Sequence, residues 1–319
     1  VRDPDNLLTI LIMLGLLIFP ALVTDSYFQH IMNVALIYAI GIYGFNIITG
    51  VTGQLNLAHA GFMGIGAYLS AFLAVRLGLN FWVAMPLSVA GTGLAGLLIG
   101  LPSLRTRGVY FALTTMGFGE IMFIVFDNLI PVTGGPMGFT GIPAPSPLGP
   151  ITFTSKIGFY YLCLAFLFLA IYASYTLVVS RMGRAMLAVR ENEDLARSVG
   201  VSIVGSKIWA FVLATAFIGL SGCLYAHYFR FISPVSFTVG ESFRCLTMLV
   251  VGGMGTLAGP VVGSVLFTYL PEFLRDIEEY QLIVYGVVLM MCIAFLPEGL
   301  VGYLKMKAEE RALRSRMEA

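Results

Sequence analysis

Arg190, Glu193, Asp194, Arg197 and Gly200 share one polar segment, Arg181 to Lys207 (RMGRAMLAVRENEDLARSVGVSIVGSK), set between two strongly apolar stretches. The segment concentrates five basic and three acidic residues in a chain that is 11% charged, and the chemistry these residue types suit is docking. Asn192 is placed to cap a short helix whose first turn carries Glu193 and Asp194, where carboxylates favour the positive end of the helix dipole, and Gly200 is placed to end it. Glu193 and Arg197 stand at i and i+4 in the favourable order, a pair worth about 0.2–0.5 kcal/mol. Leu195, Ala196 and Val199 form an apolar stripe on the opposite side. Such a helix can seat one face in a groove of a soluble partner while the other meets charge. The competing reading is a solvated loop whose charges only set topology.

Two further sets of polar residues fall inside apolar sequence. Gln54, Asn56 and His59 lie in a Gly-interrupted stretch, Gly50 to Gly66, and a second such stretch runs from Gly252 to Gly263. Broken helices of this kind point to a translocation path, because unwound backbone at membrane depth is tolerated only where it lines a cavity or is buried in protein. Hydrogen-bond glue between helices competes with that reading for each of the three side chains, and close helix packing competes with it for Gly61, Gly64 and Gly66. LAHAG at 57–61 and TLAG at 256–259 hint at an internal repeat. Glu120 sits near the middle of an apolar run, where burying it ionised costs a few kcal/mol or more. It is therefore protonated, paired or facing a cavity. Arg107 is more than two helical turns away, and pairing with Arg230 or Arg244 requires a tertiary contact. The functional and structural readings of Glu120 both remain open at this point.

Other chemistry is missing from the sequence. It has no GxxxxGK[ST] and no Gly-Lys dipeptide, so the chain cannot itself cradle nucleotide phosphates in a P-loop. It has no GxSxG and no HExxH, and its three histidines at 30, 59 and 227 are too scattered to suggest a metal site or a triad. Cys163, Cys223, Cys245 and Cys292 form no CxxC pair and read as small buried hydrophobes. A net charge of +1 with four lysines argues against a nucleic-acid partner.

The elements that must position these groups are membrane spans. A hydrophobic content of 58% and a mean hydropathy of +0.91 leave too little polar surface to coat a soluble globule. The expected fold is an all-α polytopic integral membrane protein, in contact with membrane lipid. Runs of about 20 apolar residues mark spans at Leu7 to Val23, Phe28 to Ile48, Leu57 to Val75, Phe81 to Leu101, Gly108 to Ile130, Ile157 to Ser180, Ile208 to Phe229 and Gln281 to Leu296. Between Ser242 and Leu270 an apolar stretch is broken by Gly252, Gly253, Gly255, Gly259 and Pro260, predicting two short helices or a re-entrant pair. Eight continuous spans and this Gly-broken pair make about ten crossings in all. The N-terminal run of about 17 apolar residues lacks a small-residue cleavage pattern and is followed by another span, so it reads as a span and not as a removable signal. Arg105, Arg107, the cluster in 181–207 and the tail Lys305, Lys307, Arg311, Arg314 and Arg316 should lie on the cytoplasmic side by the positive-inside rule, with both termini inside. The loop 131–156 holds one charge and suits an external ledge.

Six ordered motifs then carry a resemblance that extends from about Gly44 to Tyr303. They are TGQLNLAHAGFMGIGAY (52–68), RTRGVYFALTTMGFGEI (105–121), TGGPMGF (133–139), GRAMLAVRENEDLARSVGV (183–201), VVGGMGTLAGPVVG (250–263) and PEGLVG (297–302). The series resembles the LivM-type permeases of ABC importers for branched-chain amino acids. Asn56 and Ala58 stand where many members have Ser and Gly, Phe139 replaces Leu, and DLARSVG (194–200) is a loose form of the EAAxxxG pattern of ABC import permeases. The resemblance implies a permease domain over 1–304 with a charged cytoplasmic tail at 305–319, in a bacterial inner membrane. It implies a second homologous permease chain, two cytoplasmic ATPase subunits and an extracytoplasmic solute-binding protein as partners. Within that assembly Arg190, Glu193, Asp194, Arg197 and Gly200 would contact the ATPases, which would carry ATP and Mg, while this chain binds no cofactor and is not an enzyme. Related permeases for urea or amides are one alternative cargo class, and an ion-coupled secondary transporter using Glu120 is the rival mechanism. A receptor or scaffold binding a cytoplasmic signalling protein through the polar segment is a third.

Overall fold

The computed structural model describes residues 4–103, 106, 108–149, 152–273, 281–295 and 298–307. Each of the eight predicted spans is a helix: α1 (Pro4–Leu22), α2 (Ser26–Phe45), α3 (His59–Val75), α4 (Phe81–Ser103), α5 (Val109–Asn128), α7 (Lys156–Val179), α10 (Ile203–Phe229) and α13 (Gln281–Phe295). The four-residue α6 (Ile130–Thr133) follows α5 directly. The Gly-broken segment is two short helices, α11 (Val239–Gly252) and α12 (Gly259–Phe273), and residues 299–307 are helical again. Five of the described helices are long and apolar enough to cross a membrane, counting α2 with its extension to Val51 as one. The predicted basic positions Arg105 and Arg107 and the tail beyond Lys307 lie outside the described residues.

Two helices form the centre. In its most apolar window α2 is 89% buried and α10 61% buried, against 28–33% for α4, α5 and α7. α10 packs on α2, α3 and α4, and the approach to α3 is close: a Cβ on Gly66 would lie 2.3 Å from the carbonyl oxygen of Gly219. Gly61 likewise abuts Gly119, and Gly64 the Phe126 ring. These three glycines of the first broken stretch are packing positions, because small residues let helix backbones meet where lipid offers no hydrophobic drive. Buried polar side chains join the helices in the same way. Ser88 donates to the Gly66 carbonyl at 2.7 Å, Ser221 to that of Ile37 at 2.6 Å, and Ser70 bonds His227 at 2.8 Å.

The ends of the bundle differ in character. One end carries the polar segment, Gly108 and Lys305, which line two cavities, and is the basic end. The other is covered by the loop after α6. There β1 (Phe139–Thr140) pairs antiparallel with β2 (Phe231–Ile232), Trp82 donates to the Ser146 carbonyl at 3.0 Å, and His227 bonds the Pro143 carbonyl at 2.7 Å. Gly138 makes that turn at φ +77°, pressed against the Phe231 ring where a Cβ would sit 2.6 Å away. The TGGPMGF motif is thus a fastener between two segments far apart in sequence.

Candidate functional site

The polar segment folds into two helices where the sequence predicts one. α8 (Arg181–Glu191) precedes α9 (Glu193–Ser198), and Asn192 divides them with extended backbone at φ −161°. Its side chain caps α9 as expected, accepting from the amides of Asp194 and Leu195 at 3.0 Å each, and Gly200 ends the motif at φ +84°. α8 was not legible because its buried side depends on tertiary partners: Met186 packs on Ile47, Val51 and Ala210, and Gly183 abuts Leu177 and Val178. Ala196 of α9 packs inward with Val189 and Ile203, whereas Leu195 is 66% and Val199 77% exposed. The predicted apolar stripe is therefore divided between the body of the protein and solvent.

Charge in the segment is also redistributed. Glu193 pairs with Lys207 at 2.6 Å and not with Arg197. The reason is burial: the Lys207 side chain is 5% exposed, and an ammonium taken out of water demands a counter-charge that an exposed arginine does not. Asp194 and Arg197 remain on the solvent side.

Arg190 is exposed, yet its guanidinium reaches the first broken stretch. Its Nη1 donates to the Gly50 carbonyl, and its aliphatic stem lies against Gly53, where φ is +70° and a Cβ would come within 2.9 Å of Arg190 Cγ. Gly255 lies on the other side of the guanidinium, 3.3 Å from Nη1 to the place a Cβ would occupy. The two Gly-broken stretches therefore meet at Arg190. They are fastened there by Asn46, which lies in a π-helical turn (Asn46–Val51) continuing α2. Its amide nitrogen donates to the Thr256 carbonyl at 3.0 Å and its oxygen accepts from the Gly255 amide at 2.7 Å. Tyr43 adds a bond to the Leu257 carbonyl at 2.5 Å. LAHAG and TLAG, the two halves of the suspected repeat, occupy matching places, each spanning a break and the start of the next helix.

A cavity of about 430 Å³ opens at this junction, lined by Thr52, Gly53, Gln54 and Leu55 on one side and by Val189 to Glu193 and Lys207 on the other. Gln54 thus stands between solvent at the basic end and the residues beyond it. Asn56 and His59 are fully buried. Gln54 Oε1, Asn56 Nδ2 and both ring nitrogens of His59 have no hydrogen-bond partner among the described residues. His30 and His227 by contrast are both bonded. Orphaned buried polar atoms each cost about 1–3 kcal/mol. The backbone around them is held by other groups: Thr115 accepts from the Leu57 amide at 3.0 Å and Ser242 from that of Ala60 at 2.9 Å.

Glu120 is neither buried nor paired. It lies on the exposed side of α5 and makes no ion pair or hydrogen bond among the described residues. Arg230 caps α10 at the end opposite the polar segment with φ +57°, and Arg244 pairs with Glu241 at 3.3 Å. Glu241, Asn46 and Tyr43 were missed in the sequence. A signal existed for Glu241, since it and Arg244 are two charges in an otherwise uncharged α11.

The profile of the branched-chain amino acid transport system permease component matches residues 27–293. The chain belongs to that family. The permease is 36% identical over 293 residues to the high-affinity branched-chain amino acid transport system permease protein LivM of Salmonella typhimurium, covering 85% of this chain and 69% of that one. It is 24% identical over 296 residues to LivH of the same organism, covering 83% and 91%, and 25% identical over 298 residues to BraD of Pseudomonas aeruginosa, covering 86% and 96%. No solved structure matches the permease.

Proposed function

We propose that this permease is one of two related membrane subunits of an ATP-binding-cassette importer that moves branched-chain or related small amino acids across a bacterial inner membrane. The observation that carries the reading is the two-sidedness of α8 and α9. Outward they present Leu195, Val199, Asp194 and Arg197. Inward, Arg190 is bonded to the first broken stretch and stands against Gly255 of the second. A chain without a P-loop needs a separate motor, and this segment offers a docking face joined directly to discontinuous helices. The partners are a second homologous permease, two cytoplasmic ATPases that hold ATP and Mg, and an extracytoplasmic solute-binding protein. LivH and LivM, two transport-system permeases that both resemble this chain, support the heteromeric pair.

In this reading the basic end is cytoplasmic. Closure of the ATPases moves α8 and α9 as a lever, and Arg190 passes the movement to Gly50 and Gly255. Asp194, Arg197 and Gly200 belong to the ATPase contact, with Glu193 holding α9 to Lys207. Gln54 guards the cytoplasmic mouth, and Asn56 and His59 behind it supply polar groups that a passing solute or water satisfies. The test is reconstitution in liposomes with the ATPases, second permease and binding protein, following labelled leucine with ion gradients collapsed. Uptake that requires ATP and binding protein is expected. Uptake that persists without ATP and follows an imposed proton gradient would overturn the importer and favour an ion-coupled carrier using Glu120.

A further inference from the structure

α11 begins at mid-depth along the bundle and not at one of its ends. Tyr38 is the thirteenth residue of the 26-residue span Ser26–Val51, hence at mid-span, and it donates its hydroxyl to Glu241 Oε2 at 3.3 Å. Glu241 is in the first turn of α11. One turn on, Arg244 lies 3.3 Å from the same carboxylate and 4.6 Å above the Tyr38 ring. Both side chains keep part of their surface open, 22% for Arg244 and 27% for Glu241. On its other flank α11 meets α5, where Gly119 packs against Val239, and the next residue, Glu120, is exposed. Successive helix residues turn by about 100°, which sets Gly240 and Phe243 between these two flanks, and both are exposed. Gly240 and Phe243 are thus exposed on the face between Arg244 and the flank that meets α5, on which Glu120 is also exposed.

That face cannot be turned to lipid. A charge at the bilayer centre costs about 2.5–3.5 kcal/mol or more, and groups that carry one face a partner or a water-filled cavity. Its layout has the Glu120 carboxylate at one edge, Arg244 held by Glu241 at the other and the Phe243 ring between. This complements a zwitterion that bears an aliphatic side chain. The N-terminal half of α11 adds the positive end of a helix dipole on the side of the cation.

We propose that this face is the solute site of the permease, on the path formed with the second permease. Arg244 takes the α-carboxylate of a neutral amino acid, Glu120 its ammonium, and Glu241 holds the guanidinium in place against Tyr38. The assignment rests on the importer reading and deepens it. It is tested in the complete reconstituted complex, with leucine as the probe, by Arg244→Gln and Glu120→Gln. Each should lower maximal leucine uptake by about tenfold or more, the worth of one charge-assisted hydrogen bond. Half-saturation, set by the binding protein, and binding-protein-stimulated ATP hydrolysis should stay at wild-type values. Phe243→Cys, with the four native cysteines replaced, should react with a charged thiol reagent and be protected by leucine. Wild-type uptake in both charge variants, or a Phe243→Cys variant inert to the reagent, overturns the site. If Arg244→Gln fails to assemble, Glu120→Gln decides alone, since Glu120 bonds to no described residue. A wild-type complex that takes up no leucine would sink the importer reading instead, a result separable from the others.

Discussion

Arg190→Ala is the perturbation that most directly separates a lever from a solvated loop. The guanidinium donates to the Gly50 carbonyl beside a cavity of about 430 Å³ and also stands against Gly255, so its removal cuts one charge-assisted hydrogen bond and opens the slot walled by Gly50, Gly53 and Gly255. Such bonds are worth about 1.5–3 kcal/mol, and the partial exposure of this one selects the lower end. If the movement of α8 passes through that bond, about 1.5 kcal/mol is lost from the coupling free energy, roughly a tenfold fall in solute moved per ATP hydrolysed. Basal ATP hydrolysis should not fall, because Leu195, Val199, Asp194 and Arg197 still present the docking face. Arg190→Lys keeps the charge but loses the planar fork, and should retain an intermediate ratio. The assay is parallel measurement of leucine uptake and phosphate release in proteoliposomes, with thermal unfolding in detergent as the control for folding. Hydrogen exchange at 46–58 and 253–258 should rise in Arg190→Ala whether or not uptake is seen. A wild-type ratio of solute to ATP together with unchanged exchange would refute the reasoning.

The remaining predictions concern what holds the same region together. Glu193→Ala leaves the buried Lys207 ammonium without its counter-charge and should destabilise the α9 docking by about 3 kcal/mol, read as faster proteolysis within 181–207. Asn46→Ala removes the partner of the Gly255 amide and the donor to Thr256, and should cost about 1–3 kcal/mol, seen as lost exchange protection at 253–258. Leu195→Ser with Val199→Ser alters two side chains that are mostly exposed, so the permease should unfold at the wild-type temperature while co-purification of the ATPases falls. Retention of the ATPases at wild-type yield would remove these residues from the docking face.

Much of the architecture was legible in the chain. Span positions follow from the free energy of placing about 20 apolar residues in hydrocarbon, a property of composition and length that needs no tertiary information. Asn192 and Gly200 were legible for a similar reason, since capping and left-handed backbone are decided within a few residues. The side-chain contacts of the site were not. Glu193 chooses Lys207 over Arg197 because Lys207 is buried, and burial is set by how α10 packs on α9. Arg190 reaches Gly50 across 140 residues of chain, and Asn46 reaches Gly255 across 209, distances over which sequence spacing carries no geometric information. Glu120 illustrates the same limit. Its depth in the span is a matter of counting residues, but its place on the exposed side of α5, beside the start of α11, depends on which face the neighbouring helices leave uncovered. The sequence alone determined that this is a helical membrane permease with a charged segment between two of its spans. Only the tertiary structure decided that Arg190 of the segment reaches both broken stretches and that Glu120 is exposed, because both depend on long-range packing of close-fitting helices.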